Sequence, residues 1–374
     1  VTYAVLQSLT TGYFMPELGF TDLILGFLLL ITPVVYFHEL GHYWVARKAG
    51  VVVDVFSIGF GPEIYGWTAK TGTRWRISAI PLGGYVKMRG DDDAASTPSA
   101  DGAGVEGSFS NAGLYWRMAI VSAGPIANFI LGIFLFAVVY MAVGKQILPA
   151  VIGDVMPNMP AASAGLKPGD KVIEIDGVGV RDFNDMRGLV VESPNRDLRF
   201  VILRDGRELN LNIKPAAQFN EQLQIDIGVL GVKSPPVGEI QKLGPVAAVV
   251  AASSDAFHMS VVILRSLGRA VTGNMQQGEV GGPVRIAEIS GAVLNQGLVP
   301  FILLTAVISI NLGLINLLPV PALDGGHLTF FFLEALRGKP LPVWFQALLM
   351  RCGIAILMGL TLFLVVTDVI RLFQ

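Results

Sequence analysis

The sequence predicts a polytopic α-helical membrane protein with four transmembrane helices, a membrane-associated β-hairpin sheet and one separate α+β domain. Three observations carry this. Of the 374 residues 52% are hydrophobic and only 15% are charged, whereas an ordinary soluble domain carries about 25% charged residues. The apolar residues fall into four blocks long enough to cross a hydrocarbon core about 30 Å thick, which takes roughly 20 residues of helix. Between the second and third blocks lies a segment of about 150 residues with ordinary mixed composition. A net charge of −2 leaves no basic surface for nucleic acid, and the single cysteine, Cys352, excludes an intramolecular disulfide framework and a cysteine-based structural zinc site.

Residues 1–46 hold the first span, which begins LILGFLLLITPVVYF and ends in HELGH. No basic region precedes it, so no cleavable signal peptide is expected. Residues 47–116 form a loop; it and the adjoining Arg117 hold eight Lys or Arg, and none precedes Arg47. The positive-inside rule therefore makes this loop cytoplasmic. Its first part alternates apolar and polar residues and is broken at Gly59, Gly61, Gly72, Gly83 and Gly84, which reads as consecutive β-hairpins. Their aromatic and aliphatic content suggests a sheet that dips into the bilayer, where backbone is tolerated only if its polar groups are paired or covered. Asp91 to Gly104 reads as a linker.

The second span occupies 117–144. Residues 145–233 read as an extracytoplasmic α+β domain, with Asp176-Gly177 and Asp205-Gly206 as hairpin turns. Residues 234–296 read as amphipathic helices interrupted at Gly281-Gly282-Pro283. The third span, within 297–327, meets Pro319 and Pro321, which cannot continue a helix, so it unwinds before Asp324. Residues 328–374 read as a short cytoplasmic loop and the fourth span, placing both termini outside.

His38, Glu39 and His42 form H-E-x-x-H at the inner end of the first span. On a helix, positions i and i+4 share a face, so both imidazoles reach one metal with Glu39 beside it. Ionisable residues at membrane depth are costly and point to function. A catalytic zinc site takes a third protein ligand. Asp324, at the inner end of a span running in the same direction, lies at the matching depth; His327, three residues on, competes for the role. Asn311 and Asn316 stand where the broken helix needs polar partners, either bracing it or touching substrate, and Asn128 on the second span is a weaker polar candidate. Pro33 and Gly124-Pro125 read as kinks or close-packing points, and His258 as a surface histidine.

H-E-L-G-H in a first span, G-F-G-P and P-L-G-G-Y-V-K-M in the next loop, S-A-G-P-I-A-N in a second span and N-L-L-P-V-P-A-L-D-G-G-H in a third resemble the site-2 protease family of intramembrane zinc metalloproteases. The bacterial branch, with its regulated sigma-factor proteases, is the nearest in pattern. The resemblance covers nearly the whole chain. It implies zinc ligation by His38, His42 and Asp324, Glu39 as general base, and substrate contact at Asn316. It also implies that Gly59 to Pro62 and Pro81 to Met88, including Gly61, Gly83 and Gly84, present an extended substrate strand. Implied partners are single-span membrane proteins, such as an anti-sigma factor already trimmed by another protease, within a bacterial inner membrane. The outer domain resembles one PDZ domain through A-G-L-K-P-G-D-K-V-I-E-I-D-G, and either captures peptide termini or acts as a steric filter. Two other classes compete: a catalytically silent scaffold, which leaves an intact Glu39 unexplained, and a transporter, for which inverted repeats are missing.

Overall fold

The computed structural model describes residues 19–90, 105–180, 182–220, 225–235, 239–271 and 282–372. The linker at 91–104 and Gly281 lie outside these residues. Helix α1 (Phe20–Lys48) leads into strands β1 (Val53–Thr68) and β2 (Arg74–Met88), followed by α2 (Leu114–Ala142). Next come β3 (Lys145–Ile147), β4 (Asp154–Val155), α3 (Pro160–Ser163), β5 (Lys171–Ile175), β6 (Val178–Gly179) and α4 (Phe183–Val191). Strands β7 (Leu198–Arg204), β8 (Arg207–Ile213), β9 (Ala216–Asn220), β10 (Ile225–Val229), β11 (Val232–Lys233) and β12 (Glu239–Gln241) follow. The chain closes with α5 (Pro245–Val271), α6 (Pro283–Gln296), α7 (Leu298–Asn316), α8 (Asp324–Arg337) and α9 (Val343–Leu372). Two compact units result, one centred on Tyr140–Gly244 and one holding the long helices and the β1–β2 sheet.

In the helical unit, α1 starts beside Asp22, whose carboxylate accepts the Gly19 N–H at 3.2 Å, and ends with Arg47 and Lys48, charges that suit the helix dipole at each end. Helix α2 runs opposite to α1: His38 lies across from Asn128, and His42 from Ile120. It also runs opposite to α7, since Gly132 faces Ala306 and Ile310 while Gly313 faces Pro125 and Asn128. Helices α1 and α7 are therefore parallel, and Leu30 packs with Phe301 and Leu304 near their starts. Gly26 and Gly291 meet where α6 crosses α1, too close for a Cβ on either. Asp368, buried near the end of α9, accepts the Arg285 N–H at 3.1 Å and so caps α6.

Two features differ from the sequence reading. Residues 328–337 continue helix α8 rather than forming a loop, because Asp324 opens a new helix after the proline break and Gly338, at φ 69°, ends it in the left-handed conformation. Arg117 clamps this helix to α2 through two hydrogen bonds to Glu334, 2.6 and 3.2 Å, with its guanidinium over Phe331. The second difference is α5. Read as amphipathic, it is nonetheless long and apolar enough over Pro245–Leu264 to cross a membrane, so five helices among the described residues meet that criterion. Ala248, Ala252 and Ala256 form its buried stripe; Val246, Val250 and Phe257 are exposed.

The β1–β2 hairpin folds back on itself. Phe56, Ser57 and Ile58 pair with Val86, Tyr85 and Gly84 on one side and with Trp75, Arg76 and Ile77 on the other. Tyr65 to Thr68 pair in turn with Ile77 to Arg74. The sheet is thus four segments wide, with Gly84–Met88 as one outer segment. Its aromatic core stacks Phe56 on Trp75, while Phe60, Ile64, Tyr65, Trp67, Ile77 and Ile80 are exposed, an apolar face of the kind a bilayer interface covers.

The second unit is α+β, as expected. Its sheet has the order β6-β5-β7-β8 and buries Val172, Ile175, Met186, Phe200, Ile202 and Ile213. Both expected turns form, with positive φ at Asp176 and Gly177 and again at Asp205 and Gly206. Asp182 caps α4 by accepting the N–H groups of Asn184 and Asp185. Burial pushes the Asp170 carboxyl up. Hydrogen bonds from Arg204 (2.6 and 2.7 Å) and from the Lys167 N–H (2.8 Å) outweigh it and hold the group below the usual carboxylate range. A depressed folded pKa stabilises above the unfolded value, about 4, and that stabilisation is lost as pH falls through the lower folded value. Acidification below about pH 4 is therefore expected to lower the amide protection factors (exchange relative to the intrinsic rate at that pH) of β5 and β7 in the wild type, and less so in Asp170→Asn, which starts out less stable. Equal acid sensitivity of the two proteins counts against this assignment.

Candidate metal centre

The period of α1 puts His38 and His42 on one face, where their rings meet edge to face at 4.8 Å. Asp324 arrives from the other end of the chain at the start of α8. Nε2 of His38 lies 3.2 Å from Nε2 of His42 and 3.2 Å from Oδ2 of Asp324; the His42 to Asp324 separation is 3.6 Å. Asp324 Oδ2 is buried and accepts no hydrogen bond, and the two histidines are buried.

A buried carboxylate oxygen left without a donor is costly unless something else neutralises it. Tetrahedral zinc with arms of about 2.0 to 2.2 Å holds its nitrogen and oxygen ligands about 3.3 to 3.6 Å apart. The three separations, 3.2, 3.2 and 3.6 Å, fall within about 0.1 Å of that spacing, so the residues fit a zinc ion. Nδ1 of His42 donates to the carbonyl of Ile120 at 2.8 Å, which leaves the Nε2 lone pair for the metal.

The surrounding backbone is built for close approach. Gly124, in the S-A-G-P run, has no Cβ because one would overlap the His42 imidazole. Gly325 likewise stands against the carbonyl of Leu318, letting the unwound turn fold onto α8. Within that turn Ala322 has φ 77°, a strained value for a residue with a Cβ, and its N–H donates to Met350 Sδ on α9 at 3.3 Å.

The structure brings together His38, His42 and Asp324. His327 is not in the cluster; its ring lies edge-on to Phe330. Glu39 is half-buried next to His38, and a Cβ on Gly84 would come within 3.1 Å of its Cγ, so the outer segment of the sheet lies against it. Gly83 stands beside the Phe60 ring, Gly59 beside the Ile80 carbonyl, and Gly61 beside the Ile80 side chain, all within the sheet. Asn316 closes α7, and Asn311 has its Oδ1 buried without a partner. His258 lies in α5 beside Phe257. Of the two readings the sequence offers for Gly124, a kink or a close-packing point, the second holds; Ile120 carries no sequence signal, since a backbone carbonyl leaves no mark in the residue type.

Gly124→Ala is expected to displace the His42 ring and weaken zinc binding at least about tenfold, as loss of a ligand-orienting contact does. Gly188→Ala, at an open position on α4, is the control and should leave zinc content unchanged. Metal analysis of the purified proteins decides this: equal zinc in both variants would refute the packing argument.

The model of peptidase family M50 matches residues 26–360. Among curated proteins, the chain is 41% identical over 370 residues to "Putative zinc metalloprotease Atu1380" of Agrobacterium fabrum, covering 95% of this chain and 98% of that one. It is 35% identical over 385 residues to metalloprotease MmpA of Caulobacter vibrioides, covering 95% and 97%. Among solved structures, the PDZ domain of an SdrC-like protein from Listeria monocytogenes matches 25% of this chain and 93% of its own, at 18% identity and a TM-score of 0.20.

Proposed function

The chain belongs to peptidase family M50 and is a zinc metalloprotease of the membrane, and from that premise we propose that it cleaves peptide bonds within transmembrane segments of single-span proteins. The observation that carries this reading is the depth of the site. His38, Glu39 and His42 lie within α1, a helix long and apolar enough to span a bilayer, and Asp324 meets the two histidines there from the start of α8. His38, His42 and Asp324 hold the zinc. When bound, the ion supplies Lewis acidity that lowers the pKa of a water and polarises the scissile carbonyl. Glu39 takes the proton from the attacking water and delivers it to the leaving amine.

A helical peptide bond is shielded by its own hydrogen bonds, so the substrate must unwind. Gly84–Met88, an outer segment of the sheet that touches Glu39 through Gly84, is placed to hold the unwound stretch by strand addition. Gly59, Gly61 and Gly83 shape that sheet, and Asn311 and Asn316 at the break in α7 are candidates for contacts to the extended chain. The substrate class we propose is a protein trimmed beforehand by another protease, such as a membrane-bound anti-sigma factor.

Four crossings of the bacterial inner membrane are supported by parity. Helices α1 and α7 are parallel and α2 opposes both, so an even number of crossings separates the end of α2 from the start of α7. Helix α6, with 14 residues, is about 21 Å long and too short to cross a core of about 30 Å. Helix α5 therefore lies along the bilayer without a full crossing. The Lys and Arg of 47–117 support a cytoplasmic position for the sheet and a periplasmic one for the PDZ-like domain.

Glu39→Gln should abolish cleavage of a trimmed transmembrane substrate, with zinc content unchanged. Cleavage at the wild-type rate would remove Glu39 as base, and the silent scaffold predicts no cleavage even by the wild type. In a protein with Cys352 replaced, cysteines introduced at 70, 205 and 268 test the topology by impermeant labelling. Position 70 should react only from the cytoplasm, and 205 and 268 only from outside. Cytoplasmic reaction at 268 would mean that α5 crosses the bilayer and that the chain returns before α7, which would overturn the four-span reading.

A further inference from the structure

An imidazole that binds zinc through one nitrogen keeps its proton on the other, where an acceptor holds the ring in place. His42 has the carbonyl of Ile120. The corresponding neighbour of His38 is Asn128 on α2, a fully buried residue whose side-chain amide lies 3.2 Å from Nδ1 of His38. The amide presents Nδ2 to the ring, while its Oδ1 is buried without a partner. The two ends of an amide have nearly the same shape, so a half-turn about its terminal bond exchanges them without repacking.

We infer that Asn128 is the positioning residue of His38, turning Oδ1 toward the ring to accept Nδ1–H and so directing the Nε2 lone pair at the zinc. The inference rests on the metalloprotease reading and deepens it. The residue is itself held from a third helix: Ser309 Oγ of α7 donates to the Asn128 backbone carbonyl at 2.8 Å, and Gly313 leaves the space beside its Cβ. An amide oxygen suits this depth because it accepts the proton without adding a buried charge. The ligands from α1 are thus each aligned by α2, one through a main-chain carbonyl and one through a side chain.

Zinc affinity of the full-length protein, measured against a chromophoric chelator, tests this. Failure of the wild type to bind zinc would refute the metalloprotease reading itself. Given wild-type binding, Asn128→Leu is expected to weaken it about 10- to 100-fold, whereas Asn128→Asp, which keeps the shape and the acceptor, should bind at least as tightly as wild type. A measurement on the wild type avoids any folding defect in the variants: with only four histidines in the chain, 15N-histidine spectra of the zinc-loaded protein should show His38 protonated at Nδ1 and metal-bound at Nε2. Wild-type affinity in folded Asn128→Leu, an equal loss in Asn128→Asp, or zinc bound to Nδ1 of His38 would each overturn the assignment.

Discussion

Holding two imidazoles and a carboxylate within 3.6 Å of one another inside apolar helices is the demand to which the rest of the fold answers. Polar groups at such depth are costly unless each donor and acceptor is met. The imidazoles find their second partners on α2, which must come within side-chain reach of α1. It does so where the chain has no side chain in the way: Gly41 lies against the carbonyl of Ala123, and Gly124 against the His42 ring. The carboxylate comes from a turn that no regular helix could supply, since Pro319 and Pro321 end α7 and α8 begins afresh at Asp324.

Breaking a helix at this level exposes main-chain groups, and the fold satisfies them locally. The N–H groups of Leu317 and Leu318 bond back to Leu314 and Ile315, and that of Ala322 reaches the Met350 sulfur. The strain at Ala322 is held by this contact and by α9, whose Gly353 lets it pack directly on Pro321. Beyond the break, Arg117 and Glu334 fasten α8 to α2. The β1–β2 sheet solves a related problem by pairing its central segment on both sides, which leaves bare main chain only at its outer segments.

Much of this was legible in the sequence because the signals involved are local and periodic. The i, i+4 spacing of His38 and His42, the four apolar blocks, the prolines before Asp324 and the Asp-Gly turns each follow from short-range rules, and all appear in the fold. Residues 328–337 were read as a loop because a restart after Pro321 depends on the packing of Phe331 and Glu334 against α2, which spacing does not reveal. Helix α5 reads as amphipathic from sequence yet meets the length and hydropathy of a span: one of its faces is alanine and another valine and phenylalanine, so a crossing helix and one lying along a bilayer look alike by composition. Ile120 and Met350 act through a backbone oxygen and a sulfur, atoms that no motif marks, and Asn128 gained meaning only from its distance to a ring 90 positions earlier.

His42 and Asp324 meet across about 280 residues of intervening chain, so a ligand joining them acts as a cross-link that closes one very large loop, with the whole Tyr140–Gly244 unit inside it. The entropy of closing a flexible loop rises only logarithmically, by about 0.6 kcal/mol for each doubling of its length. Lengthening, shortening or duplicating the inserted unit would therefore change the cross-link's effect on the unfolded chain by a few tenths of a kcal/mol, on the order of the logarithmic increment. The helical bundle is in this sense indifferent to what is threaded between α2 and α5, and that portion of the chain is free to vary in size without loosening the grip of the two distant ligands.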